Sequence, residues 1–148
     1  MKIKLAVSED KYENIANTLI SKGFQIDENA DFTLMENGYH PEYLIAKKDK
    51  EFFRLKVSEI THIESFAHEI IAYTDMGSFY LSIPLKKIIN ILDSSVFIRI
   101  SKSVIISVNH IKSIKPVLTQ KFIITMTNNA KVDVTRTYYY IFKEFLGI

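Results

Sequence analysis

Between Phe52 and Val134 the chain is cut into short apolar runs by short polar breaks, a spacing that suits strands and leaves little room for helices. The runs are Phe52 to Val57, Ile60 to Ile63, Ile70 to Thr74, Phe79 to Ile83, Phe97 to Ile100, Val104 to Val108, Ile111 to Lys115, Phe122 to Thr127 and Lys131 to Val134. Asp75-Met76-Gly77-Ser78 and Asn128-Asn129 read as hairpin turns, since Gly and Asn accept positive φ at low cost. In Phe97-Ile98-Arg99-Ile100 the alternation sets Arg99 opposite Ile98 and Ile100, as in a half-buried strand. Two helices interrupt the pattern. Pro84 opens one, with Leu85, Ile88, Ile89 and Leu92 on its buried side. The other carries Tyr138, Ile141, Phe142 and Phe145 and stops at Gly147. The residue pattern shows no internal repeat.

The first third reads differently. Ile3, Leu5 and Val7 alternate with polar or small residues in a short strand. Ser8 is placed to cap a helix with Glu9 and Asp10 in its first turn. Tyr12, Ile15, Ala16, Leu19 and Ile20 form its apolar stripe, and Lys22-Gly23 ends it. Two extended pieces follow, Phe24 to Ile26 and Phe32 to Met35, and a further strand is expected at Tyr43 to Ala46. The expectation is a small β-α-β-β module over 1–46, below the size that usually folds alone, followed by a mainly β domain over 47–148. The fold class is therefore mainly β, with antiparallel sheets and short helices behind a small α+β module.

Composition excludes several classes. With 47% hydrophobic residues, 10 Phe and 8 Tyr, the chain can bury a core. It has no Cys, so disulfides and thiolate metal sites are absent. No two of the histidines at 40, 62, 68 and 110 have zinc-site spacing, and no metal or other cofactor is expected. There is no nucleophile elbow and no phosphate-cradling glycine loop, which 4 Gly could scarcely build, so no catalytic residue is assigned and an enzyme is not expected. The N-terminus is too charged for a signal peptide, and no apolar run approaches the ~18 residues of a membrane span. A cytoplasmic protein is the expectation. Residues 1–50 carry 7 Lys against 9 Asp or Glu, whereas residues 51–148 carry 12 Lys or Arg against 8 Asp or Glu. The basic half suits phosphate contact.

Four segments narrow the reading. They are Ile60-Thr61-His62-Ile63-Glu64-Ser65, then His68 in Ser65-Phe66-Ala67-His68, then Phe97-Ile98-Arg99-Ile100-Ser101-Lys102-Ser103, and Val134-Thr135-Arg136-Thr137-Tyr138. In this order and spacing they resemble the LytTR family of DNA-binding domains over residues 51 to 147. The resemblance implies antiparallel sheets whose loops, rather than a recognition helix, enter the major groove. It implies DNA contacts from His68, from Lys102 with its neighbours Ser101 and Ser103, and from Arg136. Ser101 stands where the family has His, Lys102 where it has Arg or Asn, Ser107 where it has Asn, and Asn128-Asn129 where it has Asn-Gly. Lys112, Lys115 and Lys121 cluster nearby and are candidates for phosphate contact. Tyr138 falls on the core stripe, so packing rather than base stacking is expected of it. The function implied is sequence-specific, double-stranded DNA binding by a homodimeric transcription regulator, the N-terminal module supplying dimerisation or signal input. The alternative is a protein-interaction or ligand-sensing module on the same fold.

Overall fold

The computed structural model describes all of residues 1–148. The chain divides into two compact units, Met1–His40 and Pro41–Ile148. In the first, β1 (Lys2–Ala6) is followed by α1 (Glu9–Ser21), and β1, β2 (Gln25–Ile26) and β3 (Thr33–Met35) form a parallel sheet of order β2-β1-β3. Leu5, Val7 and Ala16 are its buried residues, while Tyr12 and Ile20 of the expected stripe are exposed. Ser8 precedes α1 without capping it. Its N–H and its hydroxyl both donate to the Glu36 carboxylate, each at 2.8 Å, and Lys11 pairs with the same carboxylate. Lys11 first, then Ser8, hold the Glu36 carboxyl down at about 2. One acidic side chain after β3 thus fixes the start of α1.

In the second unit, seven antiparallel strands are ordered β5-β4-β8-β7-β6-β10-β9. They are β4 (Tyr43–Lys48), β5 (Glu51–Lys56), β6 (Ile60–Phe66), β7 (Glu69–Thr74), β8 (Gly77–Leu81), β9 (Phe97–Arg99) and β10 (Val104–Ser107). Helix α2 (Leu85–Ile91) follows β8. A second antiparallel sheet holds β11 (Ile111–Val117), β12 (Lys121–Met126) and β13 (Lys131–Val134), before α3 (Tyr139–Leu146). The strand expected at Tyr43 to Ala46 pairs along its length with β5, so the expected boundary at 46/47 falls inside β4. At the β7–β8 turn Gly77 has φ +127, and a Cβ there would lie 2.9 Å from Lys48 Nζ.

Two apolar cores fill this unit, and the β9–β10 hairpin belongs to both. Phe97 and Ile105 join Leu44, Leu55, Ile60, Ile63, Leu85 and Ile88 in the first. Ile98, Ile100, Val104 and Ile106 join Phe122, Ile124, Val134 and Phe142 in the second. The expectation of a half-buried strand at Phe97 to Ile100 is therefore corrected. Both faces of the hairpin are covered, so alternation there separates two cores rather than core from water. The last helix also differs from expectation. A 3-10 turn over Arg136–Tyr138 takes up the first residues, and the helix starts one residue later in phase. Tyr139 stacks on Phe122 at 4.8 Å, Phe142 is fully buried, and Ile141 is 57% exposed. Tyr138 packs against this core as expected.

The structure also reveals a repeat that the residue pattern hides. A strand, a 3-10 turn (Val57–Glu59), a three-strand meander and a helix run from β5 to α2. The same succession, with its turn at Val108–His110, runs from β10 to α3. In both copies the first meander strand slips register just after its first residue, between Ile60 and His62 and between Ile111 and Ser113. The only sequence trace is Val57, Ile60, Ile63 against Val108, Ile111, Ile114. His110 joins the two copies, its Nε2 donating to the Ser58 carbonyl at 2.8 Å and its Nδ1 lying 3.1 Å from Thr127 Oγ1.

His62 is 3% exposed and stacks on Tyr73 at 4.4 Å, with Nδ1 3.1 Å from Thr61 Oγ1. Burial pushes its pKa down from 6.5 to about 4. The folded state therefore holds the neutral ring, while the unfolded chain takes up a proton as pH falls below 6.5. This residue should cost stability between pH 6.5 and 4, up to about 3 kcal/mol, and nothing above that window. Denaturant titrations across pH should show a shallower acid loss for His62→Gln than for wild type. Ile105→Ala, in the shared hairpin, should cost about 2–5 kcal/mol, whereas exposed Ile45→Ala should stay within about 0.5 kcal/mol.

Candidate nucleic-acid interface

Strand register brings the loops named by the sequence to one end of the second unit. The β6–β7 turn, Ala67-His68, closes the hairpin at Phe66 and Glu69. Ser65 N–H donates to the Ser103 carbonyl at 2.8 Å, which sets the 101–103 turn beside that hairpin. Thr135 N–H donates to the Ile100 carbonyl at 3.0 Å, which brings in the segment leading to Arg136. Phe122 pairs with Val134, so the β11–β12 connection, Leu118–Gln120, emerges at the same end. His68, Lys102 and Arg136 are thus displayed together, each exposed.

The turn itself is built by its neighbours. Ser101 is 7% exposed, and its Oγ accepts the Ser103 N–H at 3.2 Å. Its hydroxyl shapes the turn rather than facing outward, and the exposed side chain of the three is Lys102. Arg99, expected only as the polar position of a half-buried strand, donates from Nε to the Ser101 carbonyl at 3.1 Å and from Nη2 to the Lys102 carbonyl. Arg136 sits in the 3-10 turn after β13 and makes no ion pair with Asp133 or any other carboxylate. Lys102 is likewise unpaired.

The three flanking lysines do not act as one cluster. Lys112 and Lys115 lie on β11 itself, and Lys112 Nζ donates to Asn129 Oδ1 at 3.0 Å, at the opposite end of the sheet. Lys121, the first residue of β12, is the one beside the candidate loops. The expected proximity fails because an extended strand rises by about 3.3 Å per residue and carries Lys112 away from the tip.

A groove of about 770 Å³ runs from this end along β13. Ser101, Lys102, Ser103, Thr135 and Thr137 line one part, and His62, Glu64, Tyr73 and Lys131 the other. His68 lies outside it, beside Lys47, Tyr80 and Pro84. At the loop end the groove offers hydroxyls and the Lys102 ammonium, donors of the kind that meet phosphates and base edges, while Glu64 and Asp133 place carboxylates along the rest of it. No cluster of His and carboxylates suited to a metal ion is present. No helix is long and apolar enough to cross a membrane.

The LytTr DNA-binding domain family matches residues 50–147. The transcriptional regulatory protein LytR of Staphylococcus aureus (strain bovine RF122 / ET3-1) is 25% identical over 145 residues, covering 98% of this chain and 54% of that protein. The chain thus spans about half the length of that relative. A solved LytTr DNA-binding domain, from a methyl-accepting/DNA response regulator of Bacillus cereus, superposes with a TM-score of 0.71 at 24% identity. It covers 73% of this chain and 99% of the solved domain, and shows the same fold. With its mainly β fold and its loops gathered at one end of two antiparallel sheets, this chain belongs to the LytTr DNA-binding domain family.

Proposed function

We propose that this chain is a sequence-specific transcription regulator that enters the DNA major groove with the loops at 68, 101–103 and 136. The observation that carries the reading is the convergence of exposed, unpaired Lys102 and Arg136 with His68 at one end of a rigid β unit. A cation left without a carboxylate partner keeps its donors for a phosphate or a base edge. Arg136 is suited to guanine N7 and O6, which its fork meets with two hydrogen bonds. Lys102 supplies a point charge, and Ser103 and Lys121 add backbone contacts. The protein works in the cytoplasm as a homodimer on paired half-sites. The acidic first unit gains nothing from lying along phosphates and serves dimerisation or signal input.

Affinity for a specific duplex should fall steeply with salt, log K losing about 0.9 per decade for each phosphate neutralised. A salt series by fluorescence anisotropy measures it, and a flat dependence would favour an interaction or ligand-sensing module instead. Arg136→Ala should cost about 1–3 kcal/mol of specific binding and relax the preference at one base pair. Its melting temperature should match wild type, because the side chain is exposed and unpaired. Unchanged affinity in that variant would remove Arg136 from the interface.

A further inference from the structure

Arg99 points a full charge at two neutral carbonyl groups of a single turn. Its Nε reaches the Ser101 carbonyl at 3.1 Å and its Nη2 the Lys102 carbonyl, and no carboxylate joins them. The β9 backbone that carries Arg99 is itself immobilised, since Phe97 is packed in the first core and Ile98 in the second. The rest of the turn is held at its two ends. Ile100 N–H donates to the Val104 carbonyl at 3.0 Å and Thr135 N–H to the Ile100 carbonyl at 3.0 Å, Ser65 N–H donates to the Ser103 carbonyl at 2.8 Å and Ser103 N–H to Ser101 Oγ at 3.2 Å, and the two serine hydroxyls lie 3.4 Å apart. None of these fixes the Lys102 carbonyl. With both carbonyls drawn toward the guanidinium, the peptide planes on either side of Lys102 are set, and the Lys102 side chain is left pointing to solvent.

We propose that Arg99 is the positioning residue of the DNA-reading loop, holding Lys102 at one fixed height and direction relative to the duplex. This rests on the DNA-binding reading above and adds a specificity device to it. Lysine is a compact, strongly hydrated point charge on a freely rotating stem, and by itself discriminates poorly between sites. A braced backbone restores discrimination by limiting where that charge can sit, as positioning of a reacting group does in catalysis. The brace requires a fork. A guanidinium offers separate N–H donors in one plane, so it serves two carbonyls at once, while an ammonium at the same site would preserve the charge and lose the geometry.

The full-length chain serves for the test, with a specific duplex selected from a random pool by the wild-type protein. Anisotropy titrations of wild type, Arg99→Lys, Arg99→Gln, Lys102→Ala and the Arg99→Lys, Lys102→Ala double variant give affinities, and thermal melting checks the fold. The expected loss for Arg99→Lys is similar to that for Lys102→Ala, on the order of tenfold. The double variant should be no weaker than Lys102→Ala alone, because the brace acts through that side chain. Amide hydrogen exchange in the free protein should speed up at Ser103, whose N–H is bonded to Ser101 Oγ, in Arg99→Lys, a change that needs no DNA. Wild-type affinity in Arg99→Lys would show that Arg99 contributes charge alone, additive losses in the double variant would show that it acts independently of Lys102, and either result would overturn the proposal. A wild-type chain that selects no duplex would instead bring down the DNA-binding reading, and unaltered exchange at Ser103 would then bring down the brace as well.

Discussion

Everything at the candidate surface depends on a two-stranded hairpin being buried on both faces. Phe97 and Ile105 lie in one core, Ile98, Ile100, Val104 and Ile106 in the other. An isolated hairpin in water is marginal at best. Here each strand gains apolar burial twice, so the short turn at its end inherits a rigidity that a loop of Ser-Lys-Ser could not generate. The hairpin also couples the two halves of the repeat. Cutting it out would strip one wall from each core, which makes the unit from Pro41 onward a single cooperative structure rather than two stacked motifs.

Charge is distributed to match. Residues 1–40 carry 4 Lys against 7 Asp or Glu, and Lys2, Lys4 and Lys11 pair with Asp27, Glu28 and Glu36. Residues 41–148 carry 15 Lys or Arg against 10 Asp or Glu. Lys102, Lys121 and Arg136 enter none of those pairs. The first unit spends its lysines on its own fold, and the second leaves cations available where strand register gathers its loops.

Much of this was legible in the residues. Alternation located nearly every strand, Pro84 and Gly147 marked helix ends, and the order of the motifs at 60, 68, 97 and 134 named the family. What escaped the sequence were properties set by distant partners. Alternation in Phe97 to Ile100 has the same period whether the second face meets water or another sheet. The phase of the last helix depended on a 3-10 turn, which one-dimensional periodicity does not resolve. Ser101 reads as a surface hydroxyl until its Oγ is seen accepting from Ser103. Lys112 and Lys121 are close in sequence and far apart along a strand. Arg99 announced nothing but a polar position, since its targets are backbone carbonyls that no residue pattern encodes.

Three of the hairpin connections lack glycine where it would be easiest to use. Asp49 and Lys50, Ala67 and His68, and Thr119 and Gln120 are consecutive pairs at positive φ, while the four glycines lie elsewhere. Such backbone costs a β-carbon-bearing residue about 1–3 kcal/mol, and Asn-Gly would relieve it. The pairs at 67–68 and 119–120 project from the end that carries Lys102 and Arg136, so relaxing them would remove side chains from that surface. Asp49-Lys50 lies at the other end of the sheet, since Lys47 pairs with Tyr80 and the strands then run on toward Gly77. It is therefore the one turn of the three where the fold could be made more stable without altering what the opposite end presents, and the natural starting point for hardening this scaffold.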